Sequence, residues 1–414
     1  MVMNPGEILL YSCSYFSLFT GILFFLTFFE QKRKLKNPVP KRFPRLSVIV
    51  PAYNEEQHIA ATIRSLLGLV YPKNKVEILV VDDGSKDNTY AIACTFRKQG
   101  VKVFTKQNSG KGDTLNFGLR YATGELIACL DADSIVHPTC LKRMVGFFND
   151  ARVMAVTPSM KIYQPKGILL RIQQIEYLVG VYLRKVFAYL GSIHVTPGPF
   201  SVFRKEFFDR YGGYDVHNLT EDIEMAMRIQ SKHFIIENSI DANVWTIGPK
   251  TFRGLLRQRL RWYIGFLDNA LKYKHMFANR QYGNLGMFFL PGVFVSTMLI
   301  IALFFYIIYK VFSNGYKQIL NLIAIRFDIW PLLKFQFDTF YLHADALMML
   351  SIIGFIIGLI TLYLAKKHSK DKDSVKLSFL LYLYVYLMLY AFWWLISGVY
   401  KGMNKKLEWG KKVE

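Results

Sequence analysis

The chain has 414 residues, a formal net charge of +22 and 52% hydrophobic side chains, with a mean hydropathy of +0.21. That length leaves room for one soluble domain of roughly 250 residues beside a membrane part. The basic excess carries no nucleic-acid reading module, so nucleic acid is excluded as a partner, and attraction to anionic head groups and nucleotide phosphates accounts for the charge. Cys13, Cys94, Cys129 and Cys140 lack metal-ligand spacing and read as reduced, buried cysteines.

Residues 8–29 form an uncharged apolar run followed at once by Lys32, Arg33, Lys34 and Lys36. A cleaved signal carries its positive residues before the apolar stretch, so residues 1–30 read as an uncleaved anchor whose C-terminal end is cytoplasmic. Residues 44–250 then read as a cytoplasmic domain of alternating strands and helices. The β-branched runs at 46–50, 77–81 and 126–130, separated by helical patterns at 54–67 and 88–99, predict a doubly wound α/β sheet. Such sheets bind ligands beyond the carboxyl ends of their strands, and the acidic clusters fall there.

Asp82-Asp83-Gly84-Ser85 follows the second strand, where a carboxylate can accept from a base N–H or ribose hydroxyls; alone, it is also an ordinary Asp-Gly turn. Asp131-Ala132-Asp133 ends the 126–130 strand, and two carboxylates so spaced can share a hard divalent cation. Lys111, beside Gly110 at a helix start, is placed to meet phosphate oxygens without a Walker pattern. Thr220-Glu221-Asp222 precedes a helical run and reads either as a general base, Asp222, or as a helix cap by Thr220 with first-turn acids. Gln258, Arg261 and Trp262 share a face of a helix expected over 251–272, where Arg261 can hold a pyrophosphate and Trp262 can stack on a sugar; a basic helix lying on a membrane is the other reading.

Residues 168–190 are amphipathic and read as lying at the membrane surface, with packing against the domain as the alternative. Residues 251–286 form an interface helix region, 287–400 a membrane region with spans expected at 287–312, 344–364 and 377–399, and 401–414 a basic tail. The charges within 318–341 suggest a re-entrant or interfacial element there. Counting spans places the tail outside, against the rule that Lys and Arg stay inside.

The ordered set Pro51-Ala52-Tyr53-Asn54-Glu55, Val81-Asp82-Asp83-Gly84-Ser85, Gly110-Lys111 with Leu115-Asn116, Asp131-Ala132-Asp133, Thr220-Glu221-Asp222 and Gln258-Arg259-Leu260-Arg261-Trp262 resembles the membrane-embedded family-2 glycosyltransferases. That group includes synthases of cellulose, chitin, hyaluronan and poly-N-acetylglucosamine. The resemblance implies a GT-A type mixed sheet inserted between transmembrane helices, with amphipathic interface helices. It also implies an inverting, metal-dependent hexosyltransferase of the cell membrane, multi-pass, with a UDP-sugar donor and Mg2+ or Mn2+.

Carried onto this sequence, the resemblance puts Ala52, Tyr53, Glu55, Asp82, Asp83, Lys111, Asp131, Gln258 and Arg261 on the donor, and Asp133 with Asp131 on the metal. Asp222 becomes the base, with Glu221 and Thr220 beside it, and Trp262, Pro197, Gly198 and Pro199 face the acceptor. The expected acceptor is a growing polysaccharide at the cytoplasmic face, with its passage across the membrane as a further expectation. Single addition to a membrane lipid and a non-catalytic scaffold or sugar-nucleotide sensor are the alternatives. The Thr-Pro-Gly-Pro opening of 196–199 departs from the usual form of that loop, which leaves the sugar open.

Overall fold

The computed structural model describes residues 3–324, 326, 345–371 and 375–403. Eight strands form one mixed sheet: β1 (Leu46–Ala52), β2 (Val76–Asp82), β3 (Lys102–Thr105), β4 (Leu126–Cys129), β5 (Ile135–Val136), β6 (Val153–Ile162), β7 (Ser201–Arg204) and β8 (Ile235–Thr246), in the order β3-β2-β1-β4-β7-β6-β8-β5. Strands β3, β2, β1 and β4 are parallel, whereas β7 runs antiparallel to both β4 and β6. The crossovers leave β1 in opposite directions toward β2 and β4, which makes the carboxyl ends of β1 and β4 a switch point where a crevice opens.

The helices are α1 (Pro5–Glu30), α2 (Ile59–Leu67), α3 (Thr89–Cys94), α4 (Lys111–Tyr121), α5 (Cys140–Met144), α6 (Ile168–Tyr189), α7 (Lys205–Tyr211), α8 (Glu221–Ser231), α9 (Phe252–Lys272), α10 (Leu290–Ala324), α11 (Ala346–Ser369), α12 (Lys376–Leu381) and α13 (Leu387–Gly402). Alternation along the strands sends Val48, Val50, Val80 and Ala128 to a core shared with α2, α3 and α5. Ile49, Leu79, Val81 and Ile127 face a second core with α4, α7 and α8. Because both faces are covered, β1 and β4 are buried along their whole length and apolar except for Ser47. Full burial of each such Val, Leu or Ile stabilises the fold by about 1.5–3 kcal/mol.

Helix α6 was open to two placements, and the structure gives it neither surface outright. Its Ile175, Leu178, Val181 and Tyr182 are buried against Phe28 of α1 and Leu362 and Ala365 of α11, while the helix also packs on β6 and β8. It is the plate on which the domain meets the apolar helices. Three helical segments, Pro5–Glu30, Leu285–Ala324 and Ala346–Ser369, are long and apolar enough to cross a membrane. The first starts with a full N-terminal signature: the Asn4 side chain accepts from the Glu7 N–H at 2.9 Å, Glu7 answers the Asn4 N–H at 3.0 Å, and Pro5 stands in the first turn.

The run expected to form a fourth span is α12, a π-helical segment Tyr382–Tyr386, and α13. Its first part packs Phe379 with α6 and the C-terminal turns of α1 and α11, and its last turn pairs Lys401 with Asp268 of α9. Its two ends therefore pack against α6 and against α9. Most of the suspected re-entrant stretch, residues 327–341, and the tail from 404 onward lie outside the described residues.

Candidate active site

One cavity at the carboxyl ends of β1 and β4 gathers residues from seven separate stretches singled out in the sequence. Its walls include Ala52, Tyr53 and Glu55 after β1, Asp83 after β2, Lys111 of α4, Asp131 and Asp133 after β4, Pro197, Gly198 and Pro199 before β7, Thr220, Glu221 and Asp222 at the start of α8, and Gln258, Arg261 and Trp262 of α9. It has a volume of about 210 Å³. Of the residues singled out from the sequence, Asp82 alone does not line it.

Asp82 and Asp83 part company because successive strand residues point to opposite faces. Asp82 is turned into the sheet, where its Oδ2 accepts from the Thr105 hydroxyl at 3.0 Å and the Ser85 N–H at 3.3 Å. That tie joins the ends of β2 and β3, and it leaves the buried Asp82 Oδ1 without a hydrogen-bond partner among the described residues. Asp83 accepts from Lys106 Nζ at 2.9 Å, the Ser109 N–H at 3.0 Å and the Gly110 N–H at 2.9 Å. It thereby fixes the loop that delivers Lys111 at the first turn of α4.

Lys111 bridges two of the acidic clusters, with Nζ 2.7 Å from Asp131 Oδ1 and 2.8 Å from Glu221 Oε1. Burial works against its charge, but those two carboxylates hold it above the usual lysine range. Lys111 and, at longer range, Arg261 likewise keep Glu221 below the usual carboxylate range despite burial. Asp222, one residue on, is pushed up to about 6, first by burial and then by the Glu221 charge. Asp133 also rises to about 6, through burial and the charges of Asp131 and Glu55.

The start of α8 is held from two sides. Thr196 donates both its N–H and its hydroxyl to the Asp222 carbonyl, at 3.1 and 2.9 Å. Thr220 makes no side-chain cap; its hydroxyl instead accepts from Asn269 Nδ2 of α9 at 3.1 Å, and its N–H reaches Asn218 Oδ1 at 3.0 Å. A Cβ at Gly265 would lie 2.3 Å from the Thr220 side chain, so only glycine lets α9 come this close. The same holds for Gly198, where a Cβ would sit 2.7 Å from both Asp131 Oδ2 and Lys111 Nζ. Thr220 thus ties the start of α8, with Glu221 and Asp222, to α9.

Sequence reading missed Arg259. It points away from the cavity, buried, with Nη2 2.5 Å from Glu176 Oε2 of α6 and its guanidinium 4.2 Å from the Trp262 ring centroid. Trp393 of α13 closes it from another side, with its ring centroid at 5.6 Å. The position was visible inside Gln258-Arg259-Leu260-Arg261-Trp262, but its partner lies 83 residues earlier. Tyr177 and Met160 also line the cavity, and neither carries a sequence signal.

No three His, Cys, Asp or Glu side chains form a ready metal cluster among the described residues. Asp131 and Asp133 nonetheless fit a divalent ion that takes its other ligands from a diphosphate and water, since Asp133 sits buried among like charges with no cation paired to it among the described residues.

Residues 47–212 match the family model described as glycosyl transferase family 2. Among curated relatives, the poly-beta-1,6-N-acetyl-D-glucosamine synthase of Staphylococcus epidermidis is 28% identical over 340 residues, 81% of this chain and 78% of that protein. The protein of the same name from Staphylococcus aureus (strain COL) is 32% identical over 225 residues, 53% of this chain and 54% of that one. Among solved structures, the mannosyltransferase PcManGT from Pyrobaculum calidifontis, in complex with GDP-Man and Mn2+, superposes with a TM-score of 0.59 at 19% identity, covering 96% of this chain and all of that one, a likeness of fold. Taken with the mixed sheet and its flanking apolar helices, these matches show a fold of the GT-A type in which residues 47–212 are similar to glycosyl transferase family 2.

Proposed function

We propose that the chain transfers a sugar from a UDP-sugar to a polysaccharide at the cytoplasmic face of a membrane, with UDP-N-acetylglucosamine as the first donor to test. The observation that carries this is the convergence of a buried base, Asp222, two cations, Lys111 and Arg261, an acidic pair, Asp131 and Asp133, and an aromatic floor, Trp262, on one cavity. The names of the relatives supply the polymer and the acetamido sugar.

The uridine end of the donor lies toward Ala52, Tyr53, Glu55 and Asp83, and its diphosphate toward Lys111, Gln258 and Arg261. Asp131 and Asp133 would hold Mg2+ or Mn2+, which would supply charge neutralisation to the departing diphosphate. An acceptor hydroxyl, seated on Trp262 and the Pro197-Gly198-Pro199 turn, gives its proton to Asp222 as its oxygen bonds to the anomeric carbon. The bond from that carbon to the UDP oxygen breaks in the same displacement, so the anomeric centre inverts. Arg261 and Lys111 receive the negative charge that leaves with UDP.

Orientation follows from charge. The C-terminal ends of α1 and α11 meet the domain and carry Lys32, Arg33 and Lys34, and Lys366, Lys367 and His368 respectively. Lys161 Nζ of β6 reaches the Ser369 carbonyl at 2.9 Å, fixing the second of these ends to the sheet. Both basic ends then lie inside with the domain. The reading is tested by UDP release from a panel of UDP-sugars with Mg2+ or Mn2+, with the products sized: a polymer ladder for one donor is expected, and no release with any donor overturns it.

A further inference from the structure

Residues 212–220 connect α7 to α8 as a loop, and side chains fix that loop to two other helices. On α4, the helix that starts with Lys111, Asn116 accepts from the Tyr214 N–H at 2.7 Å and donates to the Tyr214 carbonyl at 2.8 Å. A Cβ at Gly213 would collide with the Asn116 side chain, so only glycine lets the loop come this close to α4. On α9, Asn218 and Asn269 form a reciprocal amide pair, with Asn218 Nδ2 2.8 Å from Asn269 Oδ1 and Asn269 Nδ2 3.2 Å from Asn218 Oδ1. Lys272 Nζ adds a contact to Asp215 Oδ2 at 2.8 Å.

The same helix grips α8 directly. Arg261, Gly265 and Asn269 of α9, and Tyr273 just past its end, recur every four residues and so share one stripe. Arg261 lines the catalytic cavity, and Gly265 and Asn269 meet Thr220. One turn further along both helices, the Tyr273 hydroxyl donates to Glu224 Oε1 at 2.7 Å, and Lys272 Nζ lies 3.0 Å from the same oxygen. The other Glu224 oxygen takes Arg228 Nη2 at 2.7 Å, within α8. Glu224 and Asn269 are both buried, and the oxygens of both are bonded. Buried polar groups satisfied in this way hold one arrangement and resist sliding.

We propose that Asn269 and Glu224 are positioning residues, which lock α8 to α9 and, through the 212–220 loop, to α4, and so set where Asp222 stands relative to a donor held by Lys111 and Arg261. Neither lines the catalytic cavity, nor the second one, of about 520 Å³, that adjoins it at Asp222 and Trp262 between α1, α6, α9 and α10. They therefore act through the helices and not on substrate. The requirement is one of alignment. Lys111 and Arg261 come from α4 and α9, whereas the base comes from α8. Displacement needs the acceptor oxygen in line with the bond to UDP while Asp222 is within hydrogen-bond reach of its proton. This rests on the transferase reading and adds the residues that keep its parts in register.

The test is UDP release by the full chain in nanodiscs with UDP-N-acetylglucosamine and Mn2+, with kcat counted per molecule that binds UDP. Glu224→Met removes the tie and strands no cation, because Lys272 keeps Asp215 and Arg228 keeps the Tyr211 and Gly212 carbonyls, each at 3.1 Å. Its kcat is expected to fall about ten- to a hundredfold with the donor KM unchanged, the cost of shifting a catalytic group by about an ångström. Glu224→Gln, whose amide oxygen still accepts from Tyr273, recovers most of that loss. Tyr273→Phe lowers kcat by itself but adds nothing to Glu224→Met, since both remove one contact. Asn269→Ala repeats the split between kcat and KM from the other tie. A melting temperature that drops while kcat per UDP-binding molecule holds, a rise in donor KM in place of the fall in kcat, or losses from Glu224→Met and Tyr273→Phe that multiply would each overturn the positioning role and leave the transferase reading standing. No release by the unaltered chain with any UDP-sugar sinks that reading and this inference with it.

Discussion

The two adjoining cavities meet at Asp222 and Trp262 and differ in almost everything else. The sheet-side cavity is built from charges that already answer one another: Lys111 lies between Asp131 and Glu221, and Asp83 is tied by three donors. The helix-side cavity is lined mainly by aromatic and aliphatic side chains, and its Arg184 makes no ion pair among the described residues but feels the Asp222 charge. The first is pre-organised by its own ion pairs, the second by the packing of aromatic side chains from the surrounding helices. Asp222 and Trp262 are where the two chemistries have to be joined.

The sharpest break in this comparison is Asp222→Asn. Transfer is expected to fall about 10²- to 10⁴-fold with UDP affinity preserved, because only the proton acceptor is lost; a variant that transfers normally would remove Asp222 from the role of base. Next in size is Arg259→Met, which leaves the buried Glu176 without its partner and is expected to cost about 3–5 kcal/mol in unfolding free energy. Adding Glu176→Leu should recover much of that loss, since no stranded charge remains. Denaturant midpoints of the single and double variants check this.

Gly198→Ala presses a methyl group toward Asp131 and Lys111. On the order of a hundredfold loss in kcat/KM for the donor is expected from such a displacement, with the fold intact by melting temperature.

The smallest effects are those of pH. Asp222 must be ionised to act, and its folded value of about 6 predicts a rate that falls about tenfold per unit below that pH. For stability the sign is opposite. The values of Asp133 and Asp222 are raised from 3.8, so their contribution is fully present below about pH 4 and is lost as pH rises through about 6. A divalent cation at Asp131 and Asp133 offsets that loss. Mn2+ should therefore raise the melting temperature more at pH 7.5 than at pH 5, and Asp133→Asn should abolish the gain.

Much of the sheet was legible because β1, β2 and β4 are buried on both faces and read as largely apolar runs, broken only by the paired Ser47 and Glu77, with glycine and acidic residues marking their ends. The clusters could be assigned to strand ends, but not their side chains to one side or the other. Strand alternation separates Asp82 from Asp83, and counting it from the buried pattern would have shown that only one of the pair reaches the crevice. Arg259 was illegible for a different reason: its burial depends on Glu176 and Trp393, which only the packing of α6, α9 and α13 brings near. The amphipathic pattern of α6 was equally ambiguous, because the sheet covers one side of the helix and α1 and α11 the other. The last apolar run read as a span by composition, and its pairing of Lys401 with Asp268 of α9 had no signal in the sequence.

The most direct measurement is UDP release by the purified full chain in nanodiscs with UDP-N-acetylglucosamine and Mn2+, comparing the unaltered protein with Asp222→Asn. Release by the first and about a hundredfold less or lower by the second, with equal UDP binding, is the predicted result. Equal release by both, or none from any UDP-sugar by a protein that binds UDP, would contradict sugar transfer at this cavity.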